Sequence, residues 1–147
     1  MAKGSKSNIF DGVNCDAARC EINNSVTGSG TLIGYGMPTV VFNTNAAPAD
    51  TFDITHPTGT GHTYEGVTVS GDIVCARFVG STTYLAGQVT ASNSSFWEIG
   101  QYVRFGILDG LPDNLNYTPG ENTAPDCATI LMSTDLPLAF GNYVLTP

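Results

Sequence analysis

Two histidines, His56 and His62, are the first candidates for acid–base chemistry in this sequence of 147 residues. Nucleophilic catalysis needs a Ser, Cys or Thr beside a base that a third group orients. Both histidines lie in a segment rich in Thr, Gly and Pro, and no nucleophile-elbow pattern accompanies them. Because histidines are common in surface loops, neither is predicted to be catalytic.

Carboxylic acids offer a second chemistry, the acid and base pair of a glycoside hydrolase. The chain carries 13 acids, and they are distributed along its length. This distribution is more simply interpreted as a set of solubilising surface groups, so we predict no catalytic residues and no enzyme. The acids considered for a pair are Glu65, Glu98, Glu121, Asp72 and Asp109.

Hard oxygen ligands are concentrated between residues 109 and 126, where Ca²⁺ could stabilise a weakly packed segment. The EF-hand spacing is absent, and Asp, Asn and Gly are also ordinary loop residues. Zinc is disfavoured because the chain has no CxxC pair and no histidines at ligand spacing. We therefore predict a solvated surface loop with no metal and no cofactor. The oxygen ligands are Asp109, Asp113, Asn114, Asn116, Glu121 and Asp126.

The single tryptophan, Trp97, has two interpretations. On an exposed face with two tyrosines it would form a sugar-stacking platform or an interface hot spot, so it is a candidate surface aromatic. Alternatively, it closes one end of a small barrel, because a lone Trp in a small core is usually well buried.

Four cysteines, Cys15, Cys20, Cys75 and Cys127, allow three complete pairings. From their even number and spacing we expect Cys15 to pair with Cys20, and Cys75 to pair with Cys127 across two strands. The alternative is four reduced thiols, which behave as small buried hydrophobes.

Short apolar runs separated by Gly, Pro and Asn turns follow Gly30, and only 12% of all residues are charged. This pattern is typical of an antiparallel barrel or sandwich. We predict one all-β domain of about eight to nine strands over residues 28–147, preceded by an extended N-terminal arm, residues 1–27. The predicted strands are Thr31–Tyr35, Thr39–Asn43, Asp50–Thr55, Tyr64–Val69, Asp72–Val79, Thr83–Ser92, Gln101–Leu108, Ala128–Ser133 and Tyr143–Leu145.

Alternation within the predicted strands assigns their two faces. Val74, Ala76 and Phe78 share the predicted core face of one strand. In another strand, Arg104 is predicted to face solvent or a partner.

Charge is divided between the arm and the body. The first 20 residues carry a net charge of +1, whereas residues 21–147 hold two arginines against eleven acids. An acidic body repels phosphate backbones, so we expect no nucleic acid partner. No apolar stretch approaches 18 residues, so no membrane span is expected, and the first 19 residues lack the apolar run of a leader peptide.

Four short motifs resemble a group of uncharacterised small secreted β-proteins of actinobacteria. They are GSG at 28–30, VTVSGDIVC at 67–75, YLAGQVT at 84–90 and PD at 125–126, and the resemblance covers roughly residues 28–144. In that group a leader precedes the domain, one Cys lies in the central strand and a second lies near the C-terminus. Cys75 matches the first, whereas Cys127 directly follows the PD pair and the leader is absent. The group has no established activity, so the resemblance implies no catalytic residues.

The favoured hypothesis is a structural protein that decorates or reinforces a larger assembly, such as a phage capsid or tail, at the virion surface. Its partner would be a protein lattice built from the major capsid protein or another virion protein, and cyclic homo-oligomers are expected from symmetry. The arm and one barrel face would bridge neighbouring subunits. Ile9, Phe10 and Val13 are the predicted arm anchors, with electrostatic guidance from Lys3, Lys6 and Arg19.

Two alternatives remain open from the sequence. The first is a secreted, extracellular cell-surface or carbohydrate-binding module, motivated by the resemblance and by the aromatic residues. The second is a small hydrolase.

Overall fold

The computed structural model describes residues 25–43 and 50–146, which form a closed barrel of eight antiparallel strands. Each strand pairs with the next in sequence, and β8 returns to pair with β1. The prediction of an all-β barrel or sandwich is thus confirmed as a barrel. The strands are β1 Ser25–Leu32, β2 Thr39–Asn43, β3 Thr51–Thr55, β4 Thr68–Val79, β5 Thr82–Ser92, β6 Tyr102–Leu108, β7 Asn114–Tyr117 and β8 Leu136–Thr146.

The barrel closes around one apolar core because its strands alternate apolar and polar residues. In β2 and β3, for example, Val40, Phe42, Phe52 and Ile54 are buried, while the residues between them point outward. Rings in edge-to-face contact fill the centre, where Phe105 contacts the rings of both Phe42 and Phe52. The described part of the chain contains no helix long and apolar enough to cross a membrane.

Two inward-facing glycines make room for Phe52. A Cβ atom on Gly87 would overlap the Phe52 ring, and one on Gly71 would overlap both that ring and the carbonyl oxygen of Gln88. The absence of side chains at these positions therefore allows a large ring to occupy the barrel centre.

A register shift between Ile73 and Cys75 changes the alternation within β4. Ile73 is buried in the main core before the shift, and Ala76 is buried there after it, with Phe78 packed against it. The predicted core face was therefore right for Ala76 and Phe78 and wrong for Val74, which packs on the outer side. A strict alternation of inward and outward residues could not predict the extra residue that this register shift inserts into β4.

Several predicted strand boundaries differ from the structure. β4 is one strand where two were predicted, β7 lies inside the predicted surface loop 109–126, and residues 128–133 form no strand. β1 begins at Ser25, ahead of the predicted domain boundary at residue 28.

The connections differ between the two ends of the barrel. At one end, which we call the long-loop end, the four connections span residues 33–38, 56–67, 93–101 and 118–135. At the opposite, short-loop end, residues 80–81 join β4 to β5 and residues 109–113 join β6 to β7.

The last long connection crosses the outer surface of the barrel, and we call residues 119–135 the strap. A disulfide between Cys75 and Cys127, with Cα atoms 5.7 Å apart, ties it to β4. The predicted pairing is confirmed, but it joins β4 to a connection and not to a second strand. Ile130 is buried against Cys75 and Ala86, and a Cβ on Gly106 would overlap the strap backbone. This small outer core explains why outward-facing residues of β4 and β5 are buried.

Both arginines of the described residues also hold the strap. Arg77 donates to the carbonyl oxygen of Ile130 at 3.1 Å. Arg104 donates to both carboxylate oxygens of Glu121, at 2.7 and 3.0 Å, and to the carbonyl oxygen of Leu131 at 2.8 Å. The bond with Glu121 raises the pKa of Arg104. Arg104 does face away from the core, but its guanidinium contacts the strap.

Candidate functional site

The candidate site is a small cavity of about 110 Å³ at the long-loop end, lined by four aromatic side chains and one proline. We call it the aromatic cup. Tyr35, Tyr64 and Trp97 come from the first three long connections, Tyr117 ends β7, and Pro119 begins the strap. Loops at the mouth of a rigid barrel are a usual place for ligand sites.

The four rings of the aromatic cup contact one another in a closed circuit. The centroid of Tyr35 lies 6.4 Å from that of Tyr64, which lies 5.2 Å from that of Trp97. Trp97 in turn lies 6.2 Å from Tyr117, and Tyr117 lies 5.6 Å from Tyr35. Interplanar angles of 43° to 71° show tilted and edge-to-face contacts, the arrangements that aromatic pairs prefer.

A buried histidine supports the inner side of the cup. The His56 ring contacts Tyr64, Trp97 and Tyr117, with centroids 5.5, 5.6 and 6.4 Å away. Its Nδ1 lies 3.0 Å from the Val67 carbonyl oxygen, which can only accept, so we assign the ring proton to Nδ1. Nε2 then accepts from the Tyr117 hydroxyl at 3.0 Å. Burial lowers the pKa of His56, which keeps the ring neutral.

Trp97 forms the buried base of the cup. Only 1% of it is exposed, and its Nε1 donates to the Thr118 carbonyl oxygen at 2.9 Å. The prediction of a surface aromatic at Trp97 is therefore wrong, because the residue closes one end of the barrel, as in the alternative interpretation. Burial also raises the pKa of Tyr117 far above its usual range, so this hydroxyl stays protonated.

Tyr35 lines the cup from a strained backbone position. Its φ of 58° lies in the left-handed region, which is rare for residues other than Gly, Asn and Asp. Its hydroxyl donates to Asn116 Oδ1 at 3.0 Å. Asn116 is held by its own bonds to Ser133 and Asp135 at the end of the strap. Strap and cup are therefore connected through one buried amide.

A second candidate surface, which we call the open face, is the outer side of β8, β1, β2 and β3. Phe140 and Val144 project from β8 with 68% and 56% of their surface exposed. Side chains on the neighbouring strands are short and mostly uncharged, and Asp53 is the charged residue among them. One lateral row runs through the Cα partners Phe140, Thr31, Thr39, Thr55 and Thr68.

The predicted solvated loop at residues 109–126 is only partly one, because β7 lies within it and Asp113 is buried, whereas residues 122–124 and 126 are exposed. Asp113 is buried and Glu121 pairs with Arg104, while Asp126 accepts from the Ala128 amide. These acids point to different partners because β7 and the strap separate them. Within residues 25–43 and 50–146, no group of three or more His, Cys, Asp or Glu side chains is placed to hold a metal ion.

The predicted arm residues lie outside the described residues. These are Lys3, Lys6, Ile9, Phe10, Val13 and Arg19, together with Cys15 and Cys20. Two other candidates make local contacts: His62 packs on Tyr64, 5.3 Å between centroids, and Glu65 accepts backbone bonds from Gly59 and Thr60.

Sequence reasoning did not identify the aromatic cup. Its residues are spread over 85 positions from Tyr35 to Pro119 and share no motif. One signal was available in the sequence: each connection at the long-loop end contains an aromatic residue or directly follows one. This signal becomes informative only when the strand order is known, because the strand order brings these connections to the same end of the barrel.

No protein-family model matches the chain. No similar curated protein or solved structure was found either.

Proposed function

We propose that this protein is a non-enzymatic structural module that decorates or reinforces a larger protein assembly, most specifically a virion, and that it attaches through the open face and the N-terminal arm. The observation that carries the proposal is a difference between two parts of the barrel's outer surface. The strap covers the outer side of β4 to β6, whereas the outer side of β8 to β2 carries exposed Phe140 and Val144.

The composition of the open face suits protein docking. Threonine, serine and valine lose little side-chain freedom on binding, and the centre of a protein interface is usually depleted of charge. Thr31 and Thr39 already share a hydroxyl–hydroxyl bond of 2.9 Å, which orders this row before any partner binds. Phe140 and Val144 would supply the apolar contacts.

The arm joins the barrel beside this face. Ser25, the first residue of β1, is the Cα partner of Thr146 in β8. Residues 1–24 therefore attach to the barrel at one edge of the open face. In the proposed mechanism, Ile9, Phe10 and Val13 anchor the arm on a neighbouring subunit, and Lys3, Lys6 and Arg19 guide it electrostatically.

The disulfide is consistent with a location outside the reducing cytosol. Disulfides persist on virion surfaces and in extracellular proteins. A filled barrel with a covalently tied strap resists unfolding, which a reinforcing protein requires.

Attachment can be tested on density-purified particles from the native source. Mass spectrometry should find the protein at a fixed ratio to the major shell protein, and particles stripped of it should rebind the full chain to saturation. Deleting residues 1–20 should abolish rebinding while circular dichroism shows a folded barrel. Phe140→Ser should weaken rebinding, whereas the matched surface change Ile99→Ser at the long-loop end should not. Recovery only as a free protein in culture supernatant would contradict the proposal.

A second candidate function is a secreted binding module, and the aromatic cup is the observation that favours it. Barrel mouths lined by aromatic residues commonly bind small ligands. If the protein is found free rather than on particles, ligand screening at the cup becomes the decisive measurement.

A further inference from the structure

The lining of the aromatic cup leaves few hydrogen-bond donors available to a ligand. The Tyr35 hydroxyl donates to Asn116, the Tyr117 hydroxyl bonds His56, and Trp97 Nε1 donates to Thr118. The donor hydrogens of these three groups are already used within the protein, and the rest of the lining comes from Tyr64 and Pro119. A sugar needs several polar partners beside the ring on which it stacks. A ligand that makes no hydrogen bonds would fit this lining better.

The ring circuit provides the geometry for binding a cation. With neighbouring centroids 5.2 to 6.4 Å apart, a group at the centre of the circuit lies within about 6 Å of all four centroids. A cation at that distance is attracted by the negative face of an aromatic ring. Quaternary ammonium groups are the cations that such sites favour because they are weakly hydrated and have no N–H to satisfy.

Charge at the long-loop end favours the same ligand. The four long connections contain the carboxylates of Glu65, Glu98, Glu121, Asp126 and Asp135, and no Lys or Arg. Glu121 is paired with Arg104, and Asp126 precedes Cys127, which is bonded to β4, so Glu65, Glu98 and Asp135 are the carboxylates left to act on the cup. Their negative potential would concentrate cations and repel anions there.

From these observations we propose that the aromatic cup binds a trimethylammonium group, such as that of choline or of trimethylated lysine. The cavity of about 110 Å³ is small, which suits a compact group of a few heavy atoms. Tyr35, held at φ 58°, lines the cavity from the first long connection. This inference does not depend on attachment to an assembly.

The test is a titration of the full chain with choline chloride against its neutral carbon isostere, 3,3-dimethyl-1-butanol. Trp97 is the single tryptophan, so intrinsic fluorescence reports directly on the cup. The choline methyl protons should also shift upfield in NMR spectra, because they would lie over ring faces. We expect a saturable response to choline, at least about tenfold weaker binding of the isostere, and no response to matched sodium chloride.

Tyr35→Asn is the matched variant, because Asn tolerates the left-handed backbone conformation and removes the ring. It should weaken choline binding by about 3- to 30-fold with an unchanged circular dichroism spectrum. Phe140→Ser, on the open face, should bind choline like the natural chain. A linear response to choline, equal binding of the isostere, or unchanged affinity in folded Tyr35→Asn would each overturn the proposal.

Two further probes distinguish the kinds of molecule that could present the trimethylammonium group to the cup. Phosphocholine adds a phosphate that the surrounding carboxylates repel, whereas trimethyl-lysine amide adds a positive charge. We expect trimethyl-lysine amide to bind more tightly than choline, and choline more tightly than phosphocholine. Tightest binding of phosphocholine would contradict the electrostatic part of the proposal.

Discussion

The two ends of this barrel are closed by different chemistry. At the short-loop end, the buried Asp113 accepts from the amides of Gly110 and Tyr143, at 2.9 and 2.7 Å. The Tyr143 hydroxyl also donates to the Val40 carbonyl oxygen at 2.8 Å. At the long-loop end, rings from successive connections pack against one another around a cavity.

This difference shows how closure and binding can be separated within one fold. Hydrogen bonds to a carboxylate require short, directed distances, so the polar end is tightly constrained. Aromatic contacts tolerate a range of distances and angles, so the long-loop end can be closed and still retain space. The cavity also lies at the end with the longer connections, which can vary in length.

The largest expected effect tests whether the long-loop end belongs to the core. Replacing Trp97 with Ala removes a fully buried ring, so we expect the free energy of unfolding to fall by about 3 to 5 kcal/mol. Urea denaturation followed by circular dichroism measures this. Phe96→Ala is the matched control, because the Phe96 ring lies 6.2 Å from Trp97 with 44% of the residue exposed. Equal losses in the two variants would mean that the Trp97 ring is not a core element.

The next effect concerns the strap that completes the long-loop end. The disulfide joins residues 52 positions apart, and its removal in the double variant Cys75→Ala, Cys127→Ala should destabilise the protein by about 2 to 4 kcal/mol. Denaturation midpoints with and without reductant give the comparison. The double variant should be insensitive to reductant, and a further loss on reduction would point to a second contributing disulfide.

At the short-loop end, Asp113→Asn should cost about 1 to 3 kcal/mol, because an amide cannot accept from both backbone donors as the carboxylate does. Asp109→Asn, in the same connection but exposed, is the control and should be neutral. Choline binding by folded Asp113→Asn should be unchanged, since the substitution lies at the other end. Weaker choline binding by this variant would show that the two ends are coupled.

The smallest effect is a pH dependence that belongs to the long-loop end alone. Burial lowers the pKa of His56 below its usual 6.5, so the unfolded chain binds a proton more readily. His56 therefore contributes stability above about pH 6.5 that is lost as the pH falls below that value. Denaturation at pH 7.5 and 5.0 should show a smaller difference for His56→Gln than for the natural chain. An identical pH dependence in the natural chain and in His56→Gln would exclude this role.

Much of the fold could be predicted because alternation and turn residues act locally. β2 and the Cys75–Cys127 pair were predicted correctly, and the boundaries of β5 and β6 were placed within one residue. β7 was missed because Asn114–Tyr117 is short, polar in composition and adjacent to Pro112 and Pro119. The strand exists because β6 and β8 pair with its two edges, which is information that lies far away in the sequence.

The candidate site was less accessible to sequence reasoning for a related reason. Trp97, His56 and Tyr117 are far apart in the chain, and their meeting depends on the strand order of the closed barrel. The alternation in β6 predicted that Arg104 faces solvent or a partner, but it did not indicate the strap that both arginines contact. Both bind the strap, whose path across β4 to β6 no local pattern indicates.

The pairing of β1 with β8 also determines how the barrel responds to mechanical force. Ser25 and Thr146 are Cα partners in an antiparallel pair, so the first and last strands emerge side by side. Tension applied between them would break the hydrogen bonds of this pair one after another, as in unzipping. Tension applied across the open face would load several strands together in shear.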